Sequence, residues 1–143
     1  MTLAISPRGP LMQFLVGVSG PRATALRAAN QLVPAQIPIT GLIDTGASST
    51  VIDSIVLGQL AIPTTGTTPI HTPSTQADAP HFANQYDISL TFIHPWVTRT
   101  FPAVPITDAQ LVHQGIQALI GRDILGQCLL TYDGVGRSFC LAF

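Results

Sequence analysis

The sequence predicts a mostly β domain with two or three short helices. Twelve Pro and twelve Gly spread along 143 residues interrupt any long helix. The apolar residues between them fall in runs of strand length, at 11–18, 37–43, 51–52, 86–93, 99–106 and 116–120. Residues 86–93 also alternate, with Tyr86, Ile88, Leu90 and Phe92 on one side and Asp87, Ser89 and Thr91 on the other. No self-similarity occurs at the period of a solenoid or propeller.

Taken in order, residues 11–18 read as a strand that ends at Ser19-Gly20-Pro21, and residues 23–28 as a helical turn. Residues 37–43 form a second strand, broken by Pro38 and Gly41, that delivers the chain to Asp44. After the short strand Val51-Ile52, Asp53 is placed to cap a helix through Leu60 with Ile55, Val56 and Leu60 inward. Residues 63–82 are rich in Thr and Pro and poor in core formers, the composition of a functional loop or linker. Strands follow at 86–93 and 99–106. Asp108 is expected to cap a single turn, residues 116–120 to form a buried strand and residues 122–126 a short helix. A hairpin turning at Asp133-Gly134-Val135-Gly136 closes the chain. Its loop length decides whether Cys128 and Cys140 fall opposite each other. Two buried thiols and a disulfide are both open readings, and the spacing is not that of a zinc site.

Composition narrows the function. Charged residues make up 9% against roughly 25% in an average globular protein, while hydrophobic residues reach 46%. The charge comes from six Arg and seven Asp, with no Lys or Glu. Such a surface favours burial in a partner, so an oligomer is expected. No basic cluster exists to displace counterions from phosphates, which argues against nucleic acid. No apolar run approaches the roughly 20 residues that span a bilayer. The N-terminus lacks the pattern of a secretory signal, and a cytoplasmic protein is the expectation. His71, His81, His94 and His113 are scattered without metal-ligand spacing, so neither a metal nor another cofactor is expected.

One segment carries chemistry. In Leu42-Ile43-Asp44-Thr45-Gly46-Ala47-Ser48 an acid ends an apolar strand and is followed by a hydroxyl residue and a Gly. That is a carboxylate presented on a tight turn, where Gly46 permits close backbone approach and its N–H can bond the carboxylate. A lone carboxylate is ionised at neutral pH. Two held about 3 Å apart cannot both ionise cheaply, so they share a proton and divide the roles of base and acid. A second segment lies downstream, Ala118-Leu119-Ile120-Gly121-Arg122-Asp123-Ile124-Leu125.

Together, in this order, the two segments resemble the retropepsin-like family, the single-domain aspartic proteases of retroviruses and their bacterial relatives. These enzymes are the standard illustration of the shared-proton rule. The resemblance covers residues 37–143, read as a retropepsin-like aspartic protease domain, and leaves residues 1–36 as an N-terminal extension of unassigned role. It implies a retropepsin-like acid-protease barrel with a dimeric active site. Asp44 would be the catalytic aspartate, its mate coming from the second subunit of a homodimer, and the pair would activate water against a peptide carbonyl of a peptide or protein substrate. Thr45, Gly46, Ala47 and Ser48 would form the active-site loop, with Thr45 holding the two loops together and Gly46 contacting substrate. Gly121, Arg122 and Asp123 would support that loop. Ile70, His71, Thr72, Pro73, Ser74 and Thr75 occupy the place of the family's flap, the lid that excludes water.

Two departures stand out. Retroviral members often carry an Asp two residues after the motif's Gly, paired with the Arg of the downstream helix; here that position is Ser48, which leaves Asp53 and Asp123 as candidate partners of Arg122. The flap also has Pro73-Ser74-Thr75-Gln76 in place of a glycine-rich tip. These departures motivate a competing reading, a binding or oligomerisation module on the same fold with little or no proteolysis. Trp96, after His94-Pro95, is read as a turn or packing residue.

Overall fold

The computed structural model describes residues 2–70, 81–94 and 98–143. Trp96 and five of the flap candidates, His71, Thr72, Pro73, Ser74 and Thr75, lie outside the described residues.

Six strands close into a barrel. They are β2 (Leu11–Val18), β3 (Ile37–Ile43), β4 (Val51–Asp53), β6 (His81–Phe92), β7 (Arg99–Ala109) and β8 (Ala118–Ile120). Their order is β2-β3-β8-β4-β7-β6, and pairing of β6 back onto β2, from Phe14↔Phe92 to Val18↔Ile88, completes the ring. The β3–β8 and β4–β7 pairs are parallel and the others antiparallel. Strand β5 (Gly66–Ile70) pairs with the first half of β6, on the edge whose second half holds β2. A register shift against β7 between Ile88 and Leu90 marks the irregularity along that long strand. Strands β1 (Thr2–Ala4), β10 (Ser138–Ala142) and β9 (Leu129–Asp133) form a separate three-stranded sheet.

Alternation sets the core. Met12, Phe14, Val16 and Val18 of β2 point inward, as do Ile88, Leu90 and Phe92 of β6. Phe92 sits at the centre of an aromatic group, edge-on to Phe14 and Phe143 at 4.8 Å each and 5.8 Å from Phe101. Gly41 makes room for it, since a Cβ there would stand 2.8 Å from Phe14 Cε2. Pro38 is accommodated because that part of β3 pairs only with β2. Residues 2–36 supply β1, β2 and helix α1 (Gly20–Ala28), so two strands set apart from the domain in the sequence are bonded into its sheets.

Several expectations are corrected. In helix α2 (Ser54–Gln59), Val56, Leu57 and Leu60 are buried but Ile55 is 57% exposed, because the turn set by the Asp53 cap rotates it to the outside. Residues 66–70, expected in a loop, form β5; backbone bonds to β6 hold it while Thr67 and Pro69 stay exposed. Asp108 caps nothing: it lies within β7 and accepts from the Asn84 N–H at 2.9 Å and Nδ2 at 3.1 Å. At the closing hairpin, Asp133 pairs with Ser138 and its Oδ1 accepts from the N–H groups of Val135 and Gly136. That register puts Cys140 opposite Thr131, and no disulfide joins it to Cys128.

Candidate active site

The two sequence segments meet through their backbones. Strand β3 runs parallel to β8, with Gly41↔Ala118 and Ile43↔Ile120, so both chains leave the barrel at the same end. The Asp44 N–H donates to the Ile120 carbonyl at 3.0 Å. The chain then turns sharply: the Gly46 and Ala47 N–H groups donate to Asp44 Oδ1 at 2.9 and 3.3 Å. Asp44 is half-buried, and among the described residues no hydrogen bond reaches its Oδ2. Thr45, Gly46 and Ser48 are exposed, while Thr50 is fully buried.

Helix α3 (Arg122–Leu125) grips this loop from below. The Arg122 N–H donates to the Ala47 carbonyl at 3.0 Å, and Arg122 Nη1 to the Thr45 and Gly46 carbonyls at 2.9 and 3.3 Å. The arginine therefore holds backbone carbonyls, and neither of its candidate carboxylate partners. Asp123 is engaged by Thr50, whose N–H reaches Oδ2 at 3.0 Å and whose Oγ1 reaches Oδ1 at 2.9 Å. Asp53, 2% exposed, accepts on both oxygens, from the N–H groups of Ile55, Leu111 and Val112 at 2.9, 2.7 and 2.9 Å. Gly121 completes the grip by donating to Thr50 Oγ1 at 3.2 Å, and a Cβ there would stand 2.5 Å from the Ser49 carbonyl carbon. Only glycine lets α3 approach the loop this closely.

Thr50 is the member that sequence reasoning missed. Its signal was a hydroxyl residue immediately before the apolar pair Val51-Ile52, where a buried polar group demands a partner.

A groove of about 510 Å³ runs beside the loop, with residues 46–49 on one wall, residues 68–70 on the other, and Val51 and Thr107 between them. Ile70 is thus the described flap candidate that faces the loop across a cavity. A separate cavity of about 370 Å³ lies at Leu3, Leu11 and Ile93, and no residue of the Asp44 loop lines it. Among the described residues, no group of three or more His, Cys, Asp or Glu is placed to hold a metal, and no helix is long and apolar enough to cross a membrane.

No family model matches the sequence, and no curated protein matches it. Solved structures do. A retropepsin-like aspartic protease from Rickettsia conorii superposes with a TM-score of 0.57 at 14% identity, covering 100% of this chain and 89% of that one. The retroviral protease-like domain of Ddi1 from Leishmania major gives 0.45 at 10% identity, covering 93% and 87%. The barrel, the parallel pairing of β3 with β8 and the first of these superpositions agree: the chain has the retropepsin-like fold.

Proposed function

We propose that the chain is an aspartic endopeptidase that works as a homodimer, each subunit contributing one Asp44. The observation that carries this reading is the Asp44 turn: a half-buried carboxylate with one oxygen held by its own loop and the other left unbonded among the described residues, on a loop whose residues 46–49 line a groove. A carboxylate used only to stabilise a turn gains nothing from a loop clamped by Arg122, Thr50 and Asp123. Clamping makes sense for a group whose position matters to chemistry.

In the dimer the two Asp44 carboxylates share one proton. The ionised member takes a proton from a water as that water attacks the peptide carbonyl, and the protonated member donates to the carbonyl oxygen. Thr45, exposed in the single chain, packs against its counterpart across the dimer axis. The groove between the loop and β5 receives the extended substrate, and residues 71–75 serve as the lid. Domain function is assigned to the whole barrel, including β2, with residues 37–143 carrying the loop and its support.

The test is cleavage of a peptide library before and after Asp44→Asn. The substitution removes both carboxylates of the pair, and turnover should fall by at least about 10²–10⁴-fold with the dimer intact. Equal turnover by a dimeric variant would remove Asp44 from the mechanism. An unmutated dimer that binds peptides without cutting any would instead support the module reading motivated by Ser48 and the unusual flap sequence.

A further inference from the structure

A second cavity, of about 660 Å³, shares the lining residues Val51 and Ile70 with the groove. Its walls have two characters. Val51, Ile70, Leu119 and Phe82 are apolar, and Phe82 is 60% exposed. Asp108 is the one carboxylate among the described lining residues. Both of its oxygens are oriented from a single neighbour, Oδ1 by the Asn84 N–H at 2.9 Å and Oδ2 by Asn84 Nδ2 at 3.1 Å. The Tyr86 phenol is raised above its ordinary value, first by burial and then by the charge of Asp108 and a hydrogen bond to it. Asn84 and Tyr86 are neutral, so they position the carboxylate without cancelling its charge. Among the described residues these neutral groups are the partners that reach the carboxylate, and a carboxylate has about four acceptor sites.

We propose that this cavity is a subsite for a basic side chain of the substrate, its hydrocarbon stem lying on Val51, Ile70 and Leu119 and its cationic end meeting Asp108. The inference rests on the endopeptidase reading of the groove and specifies the peptides it selects. A purely apolar side chain would fill the same space while stripping water from an uncompensated carboxylate, which is costly. An acidic one would meet like charge. Lys and Arg satisfy both walls at once, because their stems bury well while their heads seek an anion.

The experiment maps cleavage sites of the full-length dimer in a proteome-derived peptide library. It then compares two peptides that differ only in Lys against norleucine at the selected position. The expected result is enrichment of Lys and Arg at one position flanking the cut, and a kcat/KM ratio of about tenfold in favour of Lys, the equivalent of one charge-assisted hydrogen bond. In Asp108→Asn that ratio collapses toward one. If the variant fails to fold, the wild-type ratio alone decides. A wild-type ratio near one, a Lys preference that survives Asp108→Asn, or enrichment of acidic residues, which would point to His81 in the same lining, each overturns the subsite while leaving the endopeptidase reading intact. Failure to cut any peptide overturns both.

Discussion

Two aspartates of this chain end short apolar strands within ten residues of each other, yet the fold uses them in opposite ways. Asp53 is 2% exposed, and both of its oxygens accept from backbone N–H groups of two different segments, the start of α2 and the turn at Leu111 and Val112. Asp44 is half-buried; among the described residues its carboxylate accepts from its own loop, on one oxygen. The first is a fastener, its charge absorbed by convergent dipoles. The second is itself fastened, by Arg122 on its carbonyls and by Thr50 and Asp123 just beyond. A carboxylate that supports the fold has both oxygens engaged by separate segments, whereas one kept for chemistry has its backbone secured and an oxygen left over.

That contrast can be broken in graded steps. The largest effect on stability is expected at the fastener. Asp53→Ala leaves three N–H groups without their acceptor, and about 3 kcal/mol should be lost in urea unfolding. Asp44→Asn, despite abolishing most turnover, should change the same measurement by less than about 1 kcal/mol, because the amide oxygen still accepts from Gly46 and Ala47. Similar costs for both would erase the distinction.

Next comes Thr50→Val, which preserves shape but strands the Gly121 N–H and one Asp123 oxygen, for about 2 kcal/mol. Arg122→Ala should cost only about 1 kcal/mol, since its bonds are exposed. Its effect belongs to the loop, and faster hydrogen exchange of the Gly46 and Ala47 amides should reveal it.

The smallest effect comes from two protons that the fold holds to higher pH. Burial pushes the Cys128 thiol above its ordinary 9.0, opposed by the Arg99 charge, and burial then Asp108 push the Tyr86 phenol above 10.0. The folded chain holds these protons to higher pH than the unfolded chain does. Their contribution is therefore complete below pH 9 and is lost as pH rises through the raised values. Urea midpoints should fall gently on the alkaline side, and Cys128→Ala with Tyr86→Phe should flatten that fall.

Much of the fold was legible in the sequence because alternation reports burial directly, as in Ile88, Leu90 and Phe92. The Asp44 turn and the strand before Gly121 were legible as apolar strand ends followed by small residues, while the pairing of that strand with β3 came only with the structure. Other features depend on partners distant in the chain. Residues 66–70 have little to bury and become a strand only because β6 offers them a free edge. Asp108 reads as a cap until Asn84 is seen 24 residues away beside it. The partner of Arg122 could not be read as a carboxylate pair, because the groups it holds are carbonyls, which every residue possesses.

The central claim is that one chain carries half a site. A crystal structure of the protein at concentrations where it self-associates tests this most directly. The result expected is a two-fold dimer with the Thr45 loops in contact and the two Asp44 carboxylates about 3 Å apart, close enough to share a proton. A dimer that buries other surfaces and leaves each Asp44 facing solvent alone would contradict it.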